Sequence, residues 1–271
     1  MNKIFGNQKR IFGNQTPRGY SYERWYQKTM GLLPAPRLDD WQELISFRPP
    51  VEIQQELKTR EIHIHKFGEA LDSHVNLDIY EVRISQFPKI DGNQKSTPED
   101  FLEFFRMQIN DFLGTFFLMS LAKFTPLEIT DETRWISQDL KKRLGAVLHI
   151  EIPLDNAAVV VGLSEPNRWI FTTVHTQETL GHPVTGNREF GLRQSGGDYF
   201  LYTRGVDMLT GMFDSFYTVF PMQVRLWTSF QEMVEDFIND HEGSAKKIKR
   251  ILHRPPKQEL RQYWQPTVDW I

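Results

Sequence analysis

The stretch between residues 146 and 207 alternates apolar and polar residues, and this constrains the fold more than any other feature. Such a two-residue period is typical of strands with one buried face. Short turn segments separate the runs, and Gly196-Gly197 between the last two predicts a tight hairpin. Short connections make neighbouring strands antiparallel. We therefore predict one antiparallel sheet built from the runs Ala146–Ile152, Ala157–Leu163, Arg168–Gln177, Arg188–Gln194 and Tyr199–Asp207.

Strands and helices are also predicted before this region. Glu61–Phe67 and Val75–Gln86 alternate in the same way and read as strands. Thr97 followed by Pro98 is typical of a helix start, since the threonine caps a free N–H and proline needs none at the first position. An apolar stripe with helical spacing then predicts a helix from about residue 98 to 113. A shorter helix is predicted over Arg134–Leu144.

A long amphipathic helix is predicted near the end of the chain. Thr228 and Ser229 are candidate caps, and Gly243 supplies the C-terminal stop. One face carries Phe230, Met233, Val234, Phe237 and Ile238. The basic residues that follow, between 246 and 257, favour a solvated helix face and extension, with a patch for acidic lipid or a protein partner as the alternative.

The first 60 residues differ from the rest. Ile-Phe-Gly-Asn-Gln occurs at 4–8 and again at 11–15, and prolines interrupt the region together with several aromatic residues. We expect an arm that wraps the main domain or docks a partner. The predicted organisation is a Pro/aromatic-rich arm at 1–60, an α+β domain at 61–243 and a basic tail at 244–271.

Composition excludes several classes of protein. The chain of 271 residues has a formal net charge of −3, so no global field directs it to nucleic acid. It contains no cysteine, which excludes disulfides, thiol nucleophiles and Cys-ligated metals. There is no apolar run long enough for a membrane span and no apolar N-terminal segment typical of a secretory signal. We therefore expect a cytoplasmic protein, with export by a route that needs no such signal as the alternative. Phosphate-binding, dinucleotide and nucleophile-elbow motifs are absent, and we assign no cofactor.

The order of strand, helices, antiparallel strands and one long helix resembles the START-like (helix-grip) superfamily. Within it, Gly181-His-Pro-Val-Thr-Gly186, followed by Phe190, resembles the GHP-x-x-G-x-x-x-F segment of an uncharacterised START-like bacterial family. The resemblance covers about residues 70–242 and has no counterpart for the first 60 residues. It implies a curved sheet that grips the C-terminal helix around a ligand cavity. The superfamily includes carriers, sensors and enzymes, so the resemblance names no ligand.

Histidines are candidates for metal binding or acid–base chemistry. His63 and His65 would lie on one face of a strand, about 6–7 Å apart, with His74 as a third ligand. Polar alternation on a half-exposed strand explains the pair equally well, and we assign no metal. His182 and His175 are the candidate acid–base groups if the protein is an enzyme, although a turn residue and a core residue are the simpler interpretations.

Two arginines are predicted on strand faces with apolar neighbours. Arg188 alternates with Phe190, and Arg204 shares a face with Tyr202. A buried arginine needs an anionic partner, and Asp207 is a candidate for a structural pair with Arg204. The alternative is an anion clamp for a ligand headgroup.

These features favour a non-enzymatic protein that binds a hydrophobic or amphiphilic, lipid-like molecule between sheet and helix. The candidate ligand-binding residues are Arg188, Arg204, His175, Tyr202, Phe230, Met233 and Phe237. One alternative is an enzyme that uses the same cavity. Another is an interaction, accessory or cargo protein of a secretion system, with contacts through the arm and the basic tail; the tail also offers a route to peripheral membrane contact.

Overall fold

A computed structural model describes residues 38–90, 94–116, 119–120, 122–152, 155–179, 183–210, 216–248 and 250–260. Within these ranges the α-helices are α1 (Gln42–Ser46), α2 (Val51–Thr59), α3 (Pro98–Met107), α4 (Ile129–Trp135) and α5 (Phe216–Asp240). The strands are β1 (His63–Ile64), β2 (Asn76–Gln86), β3 (Thr115–Phe116), β4 (Met119–Ser120), β5 (Lys123–Pro126), β6 (Val147–Ile152), β7 (Asp155–Glu165), β8 (Arg168–His175), β9 (Val184–Ser195), β10 (Asp198–Leu209), β11 (Ser244–Lys247) and β12 (Ile251–His253).

The strands form a large antiparallel sheet in which the predicted meander is confirmed. Its order is β11-β2-β10-β9-β8-β7-β6-β5, with β1 paired to β8 and β12 paired to β2; β3 and β4 form a separate two-stranded sheet. Strands β6 to β10 are the five predicted runs, extended or trimmed by a few residues. Gly196 and Gly197 have φ of 59° and 88°, which is the left-handed backbone that a tight hairpin turn requires. The predicted strand Glu61–Phe67 shortens to β1.

Of the helix boundaries predicted before the meander, the start of α3 is confirmed and two others differ. The Thr97 side chain accepts a hydrogen bond from the backbone N–H of Asp100, so the predicted cap of α3 is confirmed. A 3₁₀ turn at Ile109–Phe112 follows α3, where the sequence predicted continuous α-helix. The predicted helix Arg134–Leu144 is replaced by α4, which starts at Ile129, and by a 3₁₀ turn at Leu140–Arg143.

Helix α5 is the long C-terminal helix, and it starts 12 residues earlier than Thr228, the first predicted cap. The Ser229 hydroxyl donates to the Leu226 carbonyl inside the helix and does not cap a terminus. Phe230, Val234 and Ile238 are fully buried against the sheet. The C-terminal stop is confirmed, since the helix ends at Asp240 and the Gly243 N–H donates to the Ile238 carbonyl.

The basic segment after α5 is strand and not the predicted helix extension. Strands β11 and β12 pair with β2 and complete the edge of the sheet. Leu252 in this segment is buried, which explains why the chain returns to the sheet. Backbone pairing with β2 satisfies the polar groups of an edge that would otherwise be open.

The sheet has two covered faces, and we call the face toward α3 and α5 the inner face. Its core contains rings that contact one another, among them Phe105, Trp169, Phe190 and Phe230. The opposite, outer face packs against a smaller cluster that includes Trp41, Leu44 and Ile45. The fold class is therefore confirmed as α+β, an antiparallel sheet gripping a long C-terminal helix.

The predicted division at residues 60 and 243 stays a prediction. Within the described ranges, residues on both sides of these boundaries pack on the same sheet: Trp41, Leu44 and Ile45 before residue 60, and Leu252 and Leu260 after residue 243. Residues 1–37 and 261–271 lie outside the described ranges. None of the described helices is long and apolar enough to cross a membrane.

Candidate ligand-binding site

The inner face of β2, β10 and β9 changes from aromatic to polar along its length. Three successive rows cross these strands: Tyr80–Thr203–Phe190, then Asp78–Gly205–Arg188, then Asn76–Asp207–Gly186. Alternation in each strand places these residues on one face. The N-terminal half of α5 lies over the polar rows and contributes Gln223 and Trp227. We call Asn76, Asp78, Arg188, Asp207 and Gln223 the polar cluster.

Arg188 lies at the centre of the polar cluster. Its Nη2 is 2.9 Å from both carboxylate oxygens of Asp78 and 3.6 Å from Asp207 Oδ2. Its Nη1 donates to Thr203 Oγ1 at 3.3 Å. The guanidinium also lies over the Trp227 ring, 4.2 Å from the ring centroid. Arg188 therefore pairs with acidic residues of the sheet and contacts a ring of α5.

Two glycines make room for this arrangement. A Cβ atom on Gly205 would lie 2.2 Å from Arg188 Nη2 and 2.6 Å from its Cζ, so a side chain here would displace the guanidinium. A Cβ atom on Gly186 would lie 2.0 Å from the Val206 carbonyl oxygen, a backbone approach that excludes any side chain. The GHP-x-x-G glycine of the sequence motif thus has a packing reason.

Asp207 is buried, and among the described residues its hydrogen bonds come from two amide side chains. Gln223 Nε2 donates to its Oδ2 at 2.7 Å, and Asn76 Nδ2 lies 3.3 and 3.4 Å from its two oxygens. Burial raises the pKa of Asp207 to about 6, with a further upward contribution from Asp78 that Arg188 opposes. Burial, with the nearby Asp78 charge, also raises the pKa of Tyr80 well above its usual range.

Three buried polar atoms around the cluster have no hydrogen-bond partner among the described residues. They are Asn76 Oδ1, Tyr80 Oη and Trp227 Nε1. An unpartnered buried polar group costs roughly 1–3 kcal/mol, and native proteins usually satisfy it with water or a ligand. These three groups lie around the polar cluster, where the sheet meets α5, and the polar group of a small molecule can satisfy them there.

The structure places Arg204 and Tyr202 on the outer face, and the predicted pair of Arg204 with Asp207 is not formed. Residues three apart on a strand point to opposite faces, so Asp207 faces inward while Arg204 donates to Glu189 at 2.7 and 3.0 Å. Tyr202 Oη also donates to Glu189. Arg204 and Tyr202 line a groove of about 470 Å³. Its other lining residues are Ile79, Glu165, Asn167, Arg168, Glu189 and Arg193.

The charges of this outer groove are compensated within the chain. Arg168 is paired with Glu43 and Glu165, and Arg193 with Glu81. Glu189 is almost fully buried and is bonded on both of its oxygens. The groove is therefore lined by a network of ion pairs. This network also holds the segment that contains Trp41 against the sheet, since Arg204 Nη1 donates to the Asp40 carbonyl.

The predicted residues of α5 divide into buried and exposed positions. Phe230 is fully buried, with its ring centroid 5.5 Å from that of Phe105. Phe237 is partly buried and stacks on Phe104 at 5.2 Å, while Met233 is 40% exposed. Phe230 therefore lies nearest to the aromatic rows, and Met233 faces outward.

The predicted histidines do not converge on a metal site. His63 is exposed and His74 contacts the Ser73 hydroxyl, whereas the rings of His65 and His175 lie 3.3 Å apart. Burial, with the nearby His175, lowers the pKa of His65 to about 3. Across the described ranges no group of three or more His, Asp or Glu side chains is arranged to hold a metal ion. His182 lies outside these ranges.

Four residues of the site were missed from the sequence: the polar-cluster members Asn76, Asp78 and Gln223, and Trp227 beside them. One signal was available for Asp78. It occupies the same alternating face as Tyr80, Val82 and Ile84, so an acid stood in an otherwise apolar stripe. Nothing in the local sequence placed α5 residues 223 and 227 opposite it, because the predicted helix started later.

Comparisons with known proteins identify no family. No family model and no curated protein matches the chain. Solved structures that align with it include the protein XoxI from Bacillus cereus, with 10% identity, 63% of this chain and 99% of that chain covered, and a TM-score of 0.37. Ara h 8.0201 aligns with 8% identity, 59% and 97% coverage, and a TM-score of 0.35. The di-domain ARO/CYC StfQ from the steffimycin biosynthetic pathway aligns with 7% identity, 70% and 56% coverage, and a TM-score of 0.37.

These neighbours include helix-grip folds. Identity is at most 10% in all three, and each TM-score is below 0.5. The fold assignment accordingly rests on the strand order and on the packing of α5 described above.

Proposed function

We propose that the protein binds a small amphiphilic molecule between the sheet and α5, with the polar group of that molecule at the polar cluster. The observation that carries the proposal is the set of three unpartnered buried atoms, Asn76 Oδ1, Tyr80 Oη and Trp227 Nε1. A bound molecule that satisfies them would remove a desolvation cost that the free protein carries.

The residues beside the polar cluster suit the apolar part of an amphiphile. The aromatic row that begins at Tyr80 continues through Phe190 to Trp169, whose rings are stacked 5.2 Å apart. Phe230 packs over the same rings from α5. An amphiphile bound with its polar end at the polar cluster would direct its apolar part along these rings. Arg204 and Tyr202, on the other face, have no part in this proposal.

Native mass spectrometry of the freshly purified chain, followed by solvent extraction, tests the proposal. We expect a stoichiometric mass excess over 32.0 kDa from a small amphiphile. Tyr80→Phe removes the buried hydroxyl with little change of shape, and loss of one hydrogen bond of about 1–1.5 kcal/mol should weaken retention roughly five- to tenfold. Tyr199→Phe, on the same face but at the distant end of β10, is the matched control.

Two results would overturn the proposal. One is a wild-type chain that stays at its bare mass, both as purified and after incubation with amphiphiles. The other is undiminished retention by Tyr80→Phe, which would show that the bound molecule lies elsewhere.

An enzyme on the same scaffold is a second candidate, and Asp207 favours it. A carboxyl with a pKa of about 6 suits proton transfer near neutral pH. In this second candidate we assign the acid–base role to Asp207, whereas the sequence suggests His182 or His175. Turnover of the extracted molecule by wild type, and its loss in a folded Asp207→Asn variant, would support catalysis. Turnover that survives this substitution would exclude Asp207 as the acid–base group.

The interaction hypothesis depends mainly on residues outside the described ranges. It assigns partner contacts to the arm and to the basic tail, and it stays a prediction. Deletion of residues 1–37 should abolish partner capture and leave the sheet folded if the hypothesis holds.

A further inference from the structure

Two carboxylates share one guanidinium on the inner face. Arg188 Nη2 is 2.9 Å from both oxygens of Asp78 but 3.6 Å from Asp207. Among the described residues, the groups that face Asp207 are Asn76 and Asp78 from β2, Arg188 from β9 and Gln223 from α5. Within this set two carboxylates share a single positive charge.

Two further arginines on this side contact other groups. Arg254 Nη2 donates to Asp72 Oδ2, and its guanidinium lies over the Phe220 ring of α5. Arg250 donates to Thr228 Oγ1 at 3.3 Å, and its charge acts on Tyr80. Asp207 itself is held by the amide donors of Asn76 and Gln223. A buried carboxylate without a full counter-charge is costly, and it reduces this cost by taking up a proton or by binding a cation.

We infer that the polar group of the bound amphiphile is a protonated amine that pairs with Asp207. The inference rests on the function proposed above and names the chemical class of its ligand. An ammonium group has three donors and no acceptor, which suits the Asp207 carboxylate and the unpartnered Asn76 Oδ1. An anionic headgroup would instead meet two carboxylates that already share one guanidinium.

The cation that we infer is organic. A metal ion would need a set of hard ligands, and no such group of three or more acidic or histidine side chains occurs in the part of the chain that the structure describes. The aromatic rings beside the cluster also suit the hydrocarbon part of an amine and supply no oxygen ligand to a metal ion.

Isothermal titration with dodecylamine, 1-dodecanol and dodecanoate at pH 7, below their micelle concentrations, tests the inference. These probes share a chain and differ in headgroup charge. We expect dodecylamine to bind at least about tenfold more tightly than 1-dodecanol, and dodecanoate to bind most weakly. Asp207→Asn should reduce dodecylamine affinity about tenfold and leave 1-dodecanol unchanged. Asp236→Asn, an exposed position of α5, is the matched control.

A pH series on the wild-type protein provides a second measurement that needs no variant. The ionised fraction of a carboxyl with a pKa of about 6 rises from about 0.1 at pH 5 to about 0.9 at pH 7. Dodecylamine stays protonated throughout, so its affinity should rise roughly tenfold over this interval. The affinity for 1-dodecanol should stay constant.

The outcomes separate this inference from the proposed function. If none of the three probes binds, the proposed function fails. If 1-dodecanol or dodecanoate binds as tightly as dodecylamine, the function survives and the inference is overturned. Dodecylamine binding that is independent of pH and unaffected by Asp207→Asn would also overturn it.

Discussion

Gly205→Ala tests whether the packing of Arg188 holds the inner face together. A glycine in a strand interior weakens it by roughly 0.5–1 kcal/mol, so local propensity predicts that alanine stabilises the protein. The structure predicts the opposite, because the added Cβ would lie 2.2 Å from Arg188 Nη2 and 2.6 Å from Cζ. The sign of the change in the free energy of unfolding therefore distinguishes the argument from strand propensity from the argument from packing.

The magnitude follows from what the displaced guanidinium loses. Arg188 would leave its 2.9 Å contacts with Asp78 and its position 4.2 Å from the Trp227 ring centroid. Breaking a buried ion pair typically costs about 3–5 kcal/mol, since the remaining charge is buried without a partner. After subtraction of the propensity gain, we expect Gly205→Ala to lower the free energy of unfolding by about 2–4 kcal/mol.

Urea denaturation at pH 7, followed by far-ultraviolet circular dichroism, measures the effect. The same substitution in an Arg188→Ala background provides the control, because the clash is then absent and alanine should be neutral or mildly stabilising. Our reasoning is refuted if Gly205→Ala is as stable as wild type, or if its cost is the same with and without Arg188.

Three further predictions concern the two faces of the sheet. Because the pKa of Asp207 is raised from 3.8 to about 6 on folding, its protonated form stabilises the protein below pH 3.8, and this stabilisation is lost as the pH rises through about 6. In urea titrations between pH 3 and pH 8, the free energy of unfolding of wild type should therefore fall by about 3 kcal/mol relative to that of Asp207→Asn. The same pH dependence for both proteins would contradict this prediction. Glu189→Gln should cost about 2–4 kcal/mol, because it removes the buried charge opposite Arg204 and one of the two oxygens that accept from Arg204 and Tyr202. Arg193→Ala breaks a half-exposed pair and should cost less than about 1 kcal/mol in the same assay. Equal losses would show that burial does not determine the cost. Phe230→Ala should destabilise by about 3–5 kcal/mol and Met233→Ala by less than about 1 kcal/mol on thermal unfolding; a large effect of Met233 would mean that its exposed side is covered.

The strands of the sheet could be predicted because the sequence pattern that specifies each of them lies within the strand itself or its turn. Each strand from β6 to β10 carries its own alternation, and Gly196-Gly197 specifies its hairpin without reference to the rest of the chain. The start of α5 could not be predicted in this way. Thr228 and Ser229 have the composition of a cap, but their hydroxyls bond Arg250 and Leu226, and packing on the sheet extends the helix past them.

The site was predicted only in part for a related reason. Alternation predicts that Arg188 and Phe190 share a face of their strand, and that Arg204 and Tyr202 share a face of theirs. It did not show that these are opposite faces of the sheet, because the register between β9 and β10 depends on the hairpin geometry. Proximity in sequence therefore favours Asp207 as the partner of Arg204, whereas in the structure the partner is Glu189, directly opposite Arg204 on the neighbouring strand.

The most direct test of ligand binding at the polar cluster is the indole ¹H–¹⁵N resonance of Trp227, assigned by Trp227→Phe. Its Nε1 is buried beside Arg188 without a partner, whereas Trp41 packs on the outer face. Titration with dodecylamine or 1-dodecanol should shift the Trp227 resonance in a saturable manner and leave that of Trp41 unchanged. A saturable shift of Trp41 with Trp227 unmoved would place the ligand on the other face and contradict the proposed function.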